Sequence, residues 1–239
     1  ENNFCTLNPL DNDGNTRTGL PLSEGNLRGQ SNVNGWDNVR STFTMPAGKW
    51  YVELLATSGI GNGNSHFAIV PQTDVPDYGV GLGSNFYGYT PTVWAWSSNG
   101  GWYNNYVGTS GPGATGTAWA ADAIVALTFD GSTLKFYRNN TLIHTVGSIT
   151  SAEYSIGISL YENDAGVFNF GQDPSFAGGI TAGTATPSSG AGVFKYAPTS
   201  GFLSLCSANL DDDDLPISPA QDTQADDHFE AVIYEGDGS

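Results

Sequence analysis

The chain has 239 residues, 24 of them acidic against 7 basic, for a net charge of −17, while only 13% of positions are charged at all. That acid surplus argues against nucleic-acid or anionic-membrane binding through the body. Thirty-two glycines, with few Lys, Arg or Glu, argue against long helices, and no apolar run nears the ~20 residues of a spanning helix, so membrane insertion is not expected. Short strands joined by Gly, Asn, Asp, Pro and Ser turns remain, in a chain long enough for one core. No signal peptide opens the sequence, yet Glu1 is not an initiator Met, so a mature product or a piece of a longer chain is expected.

Residues 1–35 are polar and turn-rich, anchored by Phe4, Leu7, Leu10, Leu22 and Leu27. The spacing predicts a first strand over 3–8, a surface excursion, and a short strand over 25–30. Trp36, Val39 and Phe43 follow. Trp50, Val52 and Leu54 then alternate with Tyr51, Glu53 and Leu55, as in a strand whose tryptophan faces a core.

Residues 59–120 concentrate aromatics: Phe86, Tyr87, Tyr89, Trp94, Trp96, Trp102, Tyr103 and Tyr106 all fall between 86 and 106. Phe86, Tyr87 and Trp119 are assigned to the core. The remaining Trp94, Trp96, Trp102, Tyr103 and Tyr106 are either packing staples or a recognition surface, because Trp and Tyr combine a broad apolar face with a polar tip. The segment 92–102 is the candidate rim loop, since loops on a rigid scaffold carry function.

From 122 to 170 the pattern is that of a strand meander. Val125, Leu127 and Phe129 alternate with polar positions, and Asp130-Gly131 turns the chain. Leu134, Phe136 and Tyr137 form a second strand, and Asn139-Asn140 makes a tight reversal into Leu142, Ile143 and Val146. Ile156, Ile158 and Leu160 lead on to Val167-Phe168-Asn169-Phe170. Residues 177–192, rich in Gly, Ser, Thr and Ala, read as a linker or long surface loop. Residues 193–210 read as a return strand that closes the sandwich. The last 33 residues hold ten acidic and no basic side chains, leaving about −7 in the body. Asp211 to Asp214 lack the alternating ligands and Gly of a calcium loop, so 211–239 reads as a solvated acidic segment with a strand near 228–234.

The order GKWYVELLATSG, VGLGSNFYGYTP with GGWYNNYVG, DAIVALTFDGSTLKFYRNNTLI with YSIGISLY, and VFNFGQDPSF resembles a SPRY domain over 36–176. That resemblance implies an all-β, antiparallel, concanavalin A-like sandwich or jelly roll with little helix, and a fold that typically binds protein partners through loops. NFCTLNPLDN, VFKYAPTSGFLSLCSANL and DDHFEAVIYEGDG resemble the flanks of SPRY-containing structural proteins of marine bacteriophages. This implies a virion or extracellular setting and a parent polypeptide that continues past Ser239. In such sandwiches the terminal strands are neighbours, so Cys5 and Cys206 are a disulfide candidate, with two buried free thiols as the alternative.

Catalysis is not expected. Retaining glycosidases need two carboxyls ~5–5.5 Å apart; of the seven glutamates only Glu53 lies in a confident strand, and no two share a buried strand face. Glu162 and Asp164 sit in what reads as a hairpin turn. His66, His144 and His228 have no Ser or Cys in a nucleophile-elbow context, no Gly-rich loop carries a phosphate-binding Lys, and neither zinc-ligand spacing nor a cofactor motif occurs. A glycan-active enzyme on this fold is the minor alternative. The leading expectation is a virion structural component of a bacteriophage (tail, fibre or capsid-associated) whose partners are further copies of itself or other virion proteins. The second is a recognition module that binds a host surface glycan or protein through the aromatic rim. Apolar strand edges left for neighbouring subunits would favour the first.

Overall fold

The computed structural model describes residues 2–14, 20–32, 34–57, 64–73, 92–104, 113–114, 117–150 and 153–210. The chain divides into Glu1–Asn209 and Leu210–Ser239, and the fold below is that of the first unit. Phe86, Tyr87, Tyr106 and the expected strand at 228–234 lie outside the described residues.

The period-two alternation builds two antiparallel sheets. One runs in the order β1 (Leu7–Gly14), β4 (Trp36–Met45), β13 (Tyr154–Tyr161), β6 (His66–Pro71), β7 (Trp94–Ser97), β8 (Gly101–Tyr103) and β9 (Gly113–Ala114). The other runs β12 (Thr141–Val146), β11 (Leu134–Arg138), β10 (Ile124–Phe129), β5 (Trp50–Ala56), β14 (Ala165–Asn169), β3 (Arg28–Gln30) and β2 (Leu22–Ser23). No α-helix occurs among the described residues. The first strand is β1, displaced toward the C-terminus of the expected 3–8, and the stretch 25–30 is strand only from Arg28.

Register decides which side chains meet. In the second sheet Phe129 pairs with Trp50 and Leu134, and Leu127 with Val52 and Phe136. In the first, Ile158 pairs with Val39 and Phe67, and Ile156 with Ile69. These faces close on one another: the ring centroids of Phe67 and Phe168 lie 5.7 Å apart, Phe129 and Tyr154 5.4 Å, and Trp96 and Phe136 5.8 Å. Burying these rings supplies most of the driving force, at roughly 25 cal/mol per Å² of apolar surface.

The meander holds for β10–β11–β12, where Asn139 and Asn140 both take positive φ in the two-residue turn. It does not continue. β13 joins the opposite sheet, and the turn over 161–164 carries the chain back across to β14. Tyr-Glu-Asn-Asp is thus a connection between sheets, not a hairpin, because β13 pairs with β4 and β6 while β14 pairs with β5 and β3.

Residues 171–206 lie over the outer face of the second sheet. Phe194 and Phe202 pack with Tyr51, Ala126 and Tyr137, and the Tyr51 and Phe194 rings meet edge to face at 4.9 Å. Within 177–192 the backbone makes one bridge, Ala185 to Phe194. The stretch 193–210 is strand only at β15 (Leu203–Ser204), which runs parallel to β5 beside Trp50 and Tyr51.

Candidate functional site

The aromatic segment forms a hairpin, not a loop. β7 and β8 are joined by a turn in which Ser97 O accepts from Gly100 N at 2.9 Å and Asn99 Oδ1 from Gly101 N at 2.8 Å. Gly100 has φ 90°, and a Cβ there would press on the Thr117 backbone. Asn104 Nδ2 donates to Val93 O at 3.0 Å and closes the open end.

Pairing of β7 with β6 sets Trp96 beside Phe67 and Trp94 beside Ile69, on the core side. Trp96 is 0% exposed, against Trp119 at 5.6 Å and Phe136. Its expected place on a rim loop is therefore corrected: strand alternation carries it into the core. Trp94 and Trp102 are half-buried. Trp102 lies near-parallel to Trp94 at 6.0 Å and to His144 of β12 at 5.0 Å. The stack Trp94–Trp102–His144 thus bridges the first sheet at β7–β8 and the edge of the second at β12. Trp102 is thus half-buried and engaged with two other rings rather than part of an open aromatic platform. Tyr103, the next residue, points to the opposite side of the sheet and meets His66 edge to face at 5.2 Å. The structure therefore puts Trp94, Trp96 and Trp102 on one face, with Trp96 opposite Trp102 but fully buried, sends Tyr103 to the other face, and does not describe Tyr106.

No sequence motif marks His144 as a site residue; its place beside Trp102 comes from β12 ending its sheet next to β8 of the other. Burial lowers its pKa below the ordinary imidazole value. His66 is buried and pushed down to about 3 by desolvation, with a backbone contact to Asn64 O at 3.1 Å. It is a neutral packed ring.

The carboxylates are engaged within the fold. Glu53, on the outer face of β5, accepts from Tyr51 Oη at 2.9 Å and Tyr196 N at 2.8 Å through Oε1. Its Oε2 accepts from Lys195 N at 2.8 Å and Asn169 Nδ2 at 3.3 Å. Desolvation raises its pKa against the pull of those donors. It pins the 171–206 layer to the sheet. Asp164 accepts from the Ser65 hydroxyl, its Oδ1 has no partner, and burial raises its pKa. Among the described residues no group of three or more His, Cys, Asp or Glu is placed to hold a metal ion.

Cys5 and Cys206 are buried free thiols. Their segments are neighbours: Cys5 N donates to Leu205 O at 3.0 Å, and Phe4 bridges Cys206. The expected disulfide is absent for a reason of register. Phe4, not Cys5, lies opposite Cys206, and alternation sends the two sulfurs to opposite sides. Cys5 Sγ lies 3.6 Å from Thr42 Oγ1 and accepts from Phe43 N at 3.4 Å, while Cys206 Sγ meets Ser204 Oγ at 3.5 Å.

No protein-family model matches the sequence, and no curated protein matches it. Solved structures do match. The TRIM65 PSpry domain aligns with a TM-score of 0.54 at 14% identity, over 69% of this chain and 88% of that one. The SPRY domain of human HERC1 aligns at 0.52 and 12% identity, over 68% and 96%. A stonustoxin structure aligns at 0.50 and 18% identity, over 69% of this chain but only 27% of the toxin. At such identities the likeness is one of architecture, and together with the two packed antiparallel sheets it makes the body of this chain a SPRY-like β-sandwich.

Proposed function

We propose that the chain is a non-catalytic interaction module that holds a partner protein at the mouth between its sheets, around Trp94, Trp102 and His144. The half-buried ring stack carries this reading. Large aromatics held rigid by packing lose little entropy on binding and dominate protein interfaces. The surroundings fit. Residues 92–121 carry no charged side chain, and residues 131–152 carry Lys135 and Arg138 but no acid, in a chain of net charge −17. A protein surface is therefore not repelled here as it would be elsewhere. A protein partner is favoured over a glycan because Trp94 and Trp102 are half-buried and stacked with each other and with His144, not laid out as an open platform. The non-catalytic reading is supported by Glu53, whose two oxygens are occupied by four donors from the fold. Following the flank resemblance, the setting we propose is a bacteriophage virion, with the partner another virion protein or a host surface protein.

The test is binding of the purified chain to virion proteins and to a host envelope fraction, with Trp94→Ala and His144→Ala against Leu10→Ser on the far edge. Loss of about tenfold or more in the first two, with the control unchanged, is expected for residues at an interface centre. Equal binding by all variants overturns the assignment. Glycan-array binding that Trp94→Ala abolishes would favour the adhesin reading instead.

A further inference from the structure

Among the described residues the two sheets present four edges, and three are blunted. β1 carries Pro9, which has no N–H to offer, and Asp11, whose carboxylate pairs with Arg40 at 2.6 Å. β2 and β9 are two residues long. These are the devices by which edge strands avoid pairing with other chains. β12 has few of them. It is six residues long, Thr-Leu-Ile-His-Thr-Val, with no proline and no Asp, Glu, Lys or Arg, and it ends its sheet. Its one irregularity is a bulge at Ile143, between the pairs Phe136–His144 and Tyr137–Leu142.

The backbone of that edge is open. The two-residue turn makes Arg138 and Thr141 the hydrogen-bonded closing pair, so the next pair, Tyr137 and Leu142, turns its N–H and C=O groups away from each other. Leu142 N and O therefore point out of the sheet and have no hydrogen-bond partner among the described residues. The Leu142 side chain is 50% exposed, one of two large hydrophobic side chains among the described residues to stand so far into solvent.

We propose that β12 is a self-association edge, where two copies of this chain pair antiparallel about a two-fold axis and join their sheets into one. Charge selects the occupant. A net charge of −17 opposes self-association over most of the surface, but the stretch 139–152 contains no charged side chain, so two copies can meet along this edge without adding to that repulsion. The nearest like charges, Lys135 and Arg138, lie one strand inward. Across the pair they are three strand spacings apart, about 14 Å, beyond the ~8 Å Debye length at physiological salt. Antiparallel pairing of a strand with itself is self-complementary and closes at two copies. Interfaces of this size are transient, so the dimer forms at micromolar to millimolar concentration.

The test is sedimentation velocity of the full chain across that range, at physiological and high salt, with hydrogen exchange at the Leu142 amide. Two variants accompany it. Leu142→Pro removes the outward donor without touching the β11 ladder, and Leu142→Lys keeps the donor but sets like charges across the two-fold. The expected result is a concentration-dependent dimer, tighter at high salt, with the Leu142 amide protected in it. Both variants should weaken it by about tenfold or more, with Leu142→Lys keeping the wild-type melting temperature. A wild type that stays monomeric throughout overturns the proposal. So does a dimer that both variants leave unchanged, or a monomer whose Leu142 amide is already protected by another segment.

Discussion

Replacing Glu53 by Gln removes one of two acceptor oxygens and sets an NH2 group among donors. Which donor loses its partner follows from the surroundings. Asn169 cannot turn to accommodate the amide, because its Nδ2 also donates to Val193 O at 3.0 Å and its Oδ1 accepts from Gly171 N and Asp173 N. The Gln carbonyl must therefore stay at Oε2, serving Asn169 and Lys195 N, and the NH2 falls at Oε1. There the Tyr51 hydroxyl can rotate to accept, but Tyr196 N cannot, and one backbone donor is orphaned. That costs about 1–3 kcal/mol, or roughly 2–10 °C in melting temperature for a domain of this size. Glu53→Ala strands all four donors and leaves a cavity, so it should cost more, about 3–5 kcal/mol. Urea unfolding followed by tryptophan fluorescence gives the magnitudes. Hydrogen exchange at Lys195 and Tyr196 shows where the loss falls, and limited proteolysis should cut first within 181–199. A Gln variant within about 0.5 kcal/mol of wild type, with the Tyr196 amide still protected, would refute the anchoring role.

Further outcomes follow from the same contacts. Because burial raises the Glu53 pKa, the folded state keeps its proton in a window above 4.5 where the unfolded chain has lost it. Stability from this group is thus fully present below that window and falls as pH rises through it, so the wild-type margin over Glu53→Gln should shrink with rising pH in paired urea titrations. Trp96→Ala should destabilise by about 3–5 kcal/mol, and a melting temperature near wild type would put Trp96 back on the surface. Gly183→Ala should loosen the outer layer by about 1–3 kcal/mol, because a Cβ there would overlap Lys195 Cα and Phe194 O; unchanged proteolysis of 181–199 would contradict that. Burial pushes Cys5 up to about 11, so thiol reagents should label it slowly in the native state and both cysteines fast in denaturant. A reductant-dependent melting temperature would mean that a disulfide forms after all.

What the sequence made legible was period. Val125-Leu127-Phe129 and Trp50-Val52-Leu54 reveal a core-facing side because alternation is a local property, and Asn139-Asn140 reveals a turn because few residues accept two positive φ values in succession. Which sheet a strand joins is not local. β13 and β14 read as consecutive strands of one meander, yet they lie in opposite sheets, because that choice depends on pairings with β4 and β6 more than 80 residues away. The same limit explains the aromatic segment. Trp94, Trp96, Trp102 and Tyr103 look alike as composition, and only the register of β7 against β6 and of β8 against β7 tells core from edge. It explains the thiols as well: adjacency of the terminal segments was foreseeable, but a one-residue offset between Phe4 and Cys5 decides whether sulfurs can meet.

Glu53 marks where local and distant information combine. A lone acid in an otherwise apolar-alternating strand costs several kcal/mol to bury unless something pays it back with hydrogen bonds, so its presence in β5 already implied donors arriving from elsewhere. They come from Lys195 and Tyr196, more than 140 residues on, just after the stretch 177–192 whose Gly and Ser content reads as a linker. Glycine there has a second use. Gly183 lets the backbone pass against that of Phe194 and Lys195, the residues whose amides reach the carboxylate. A segment that looks flexible by composition is thus fitted to one buried acid, and the outer layer and the sandwich should lose stability together when either is changed.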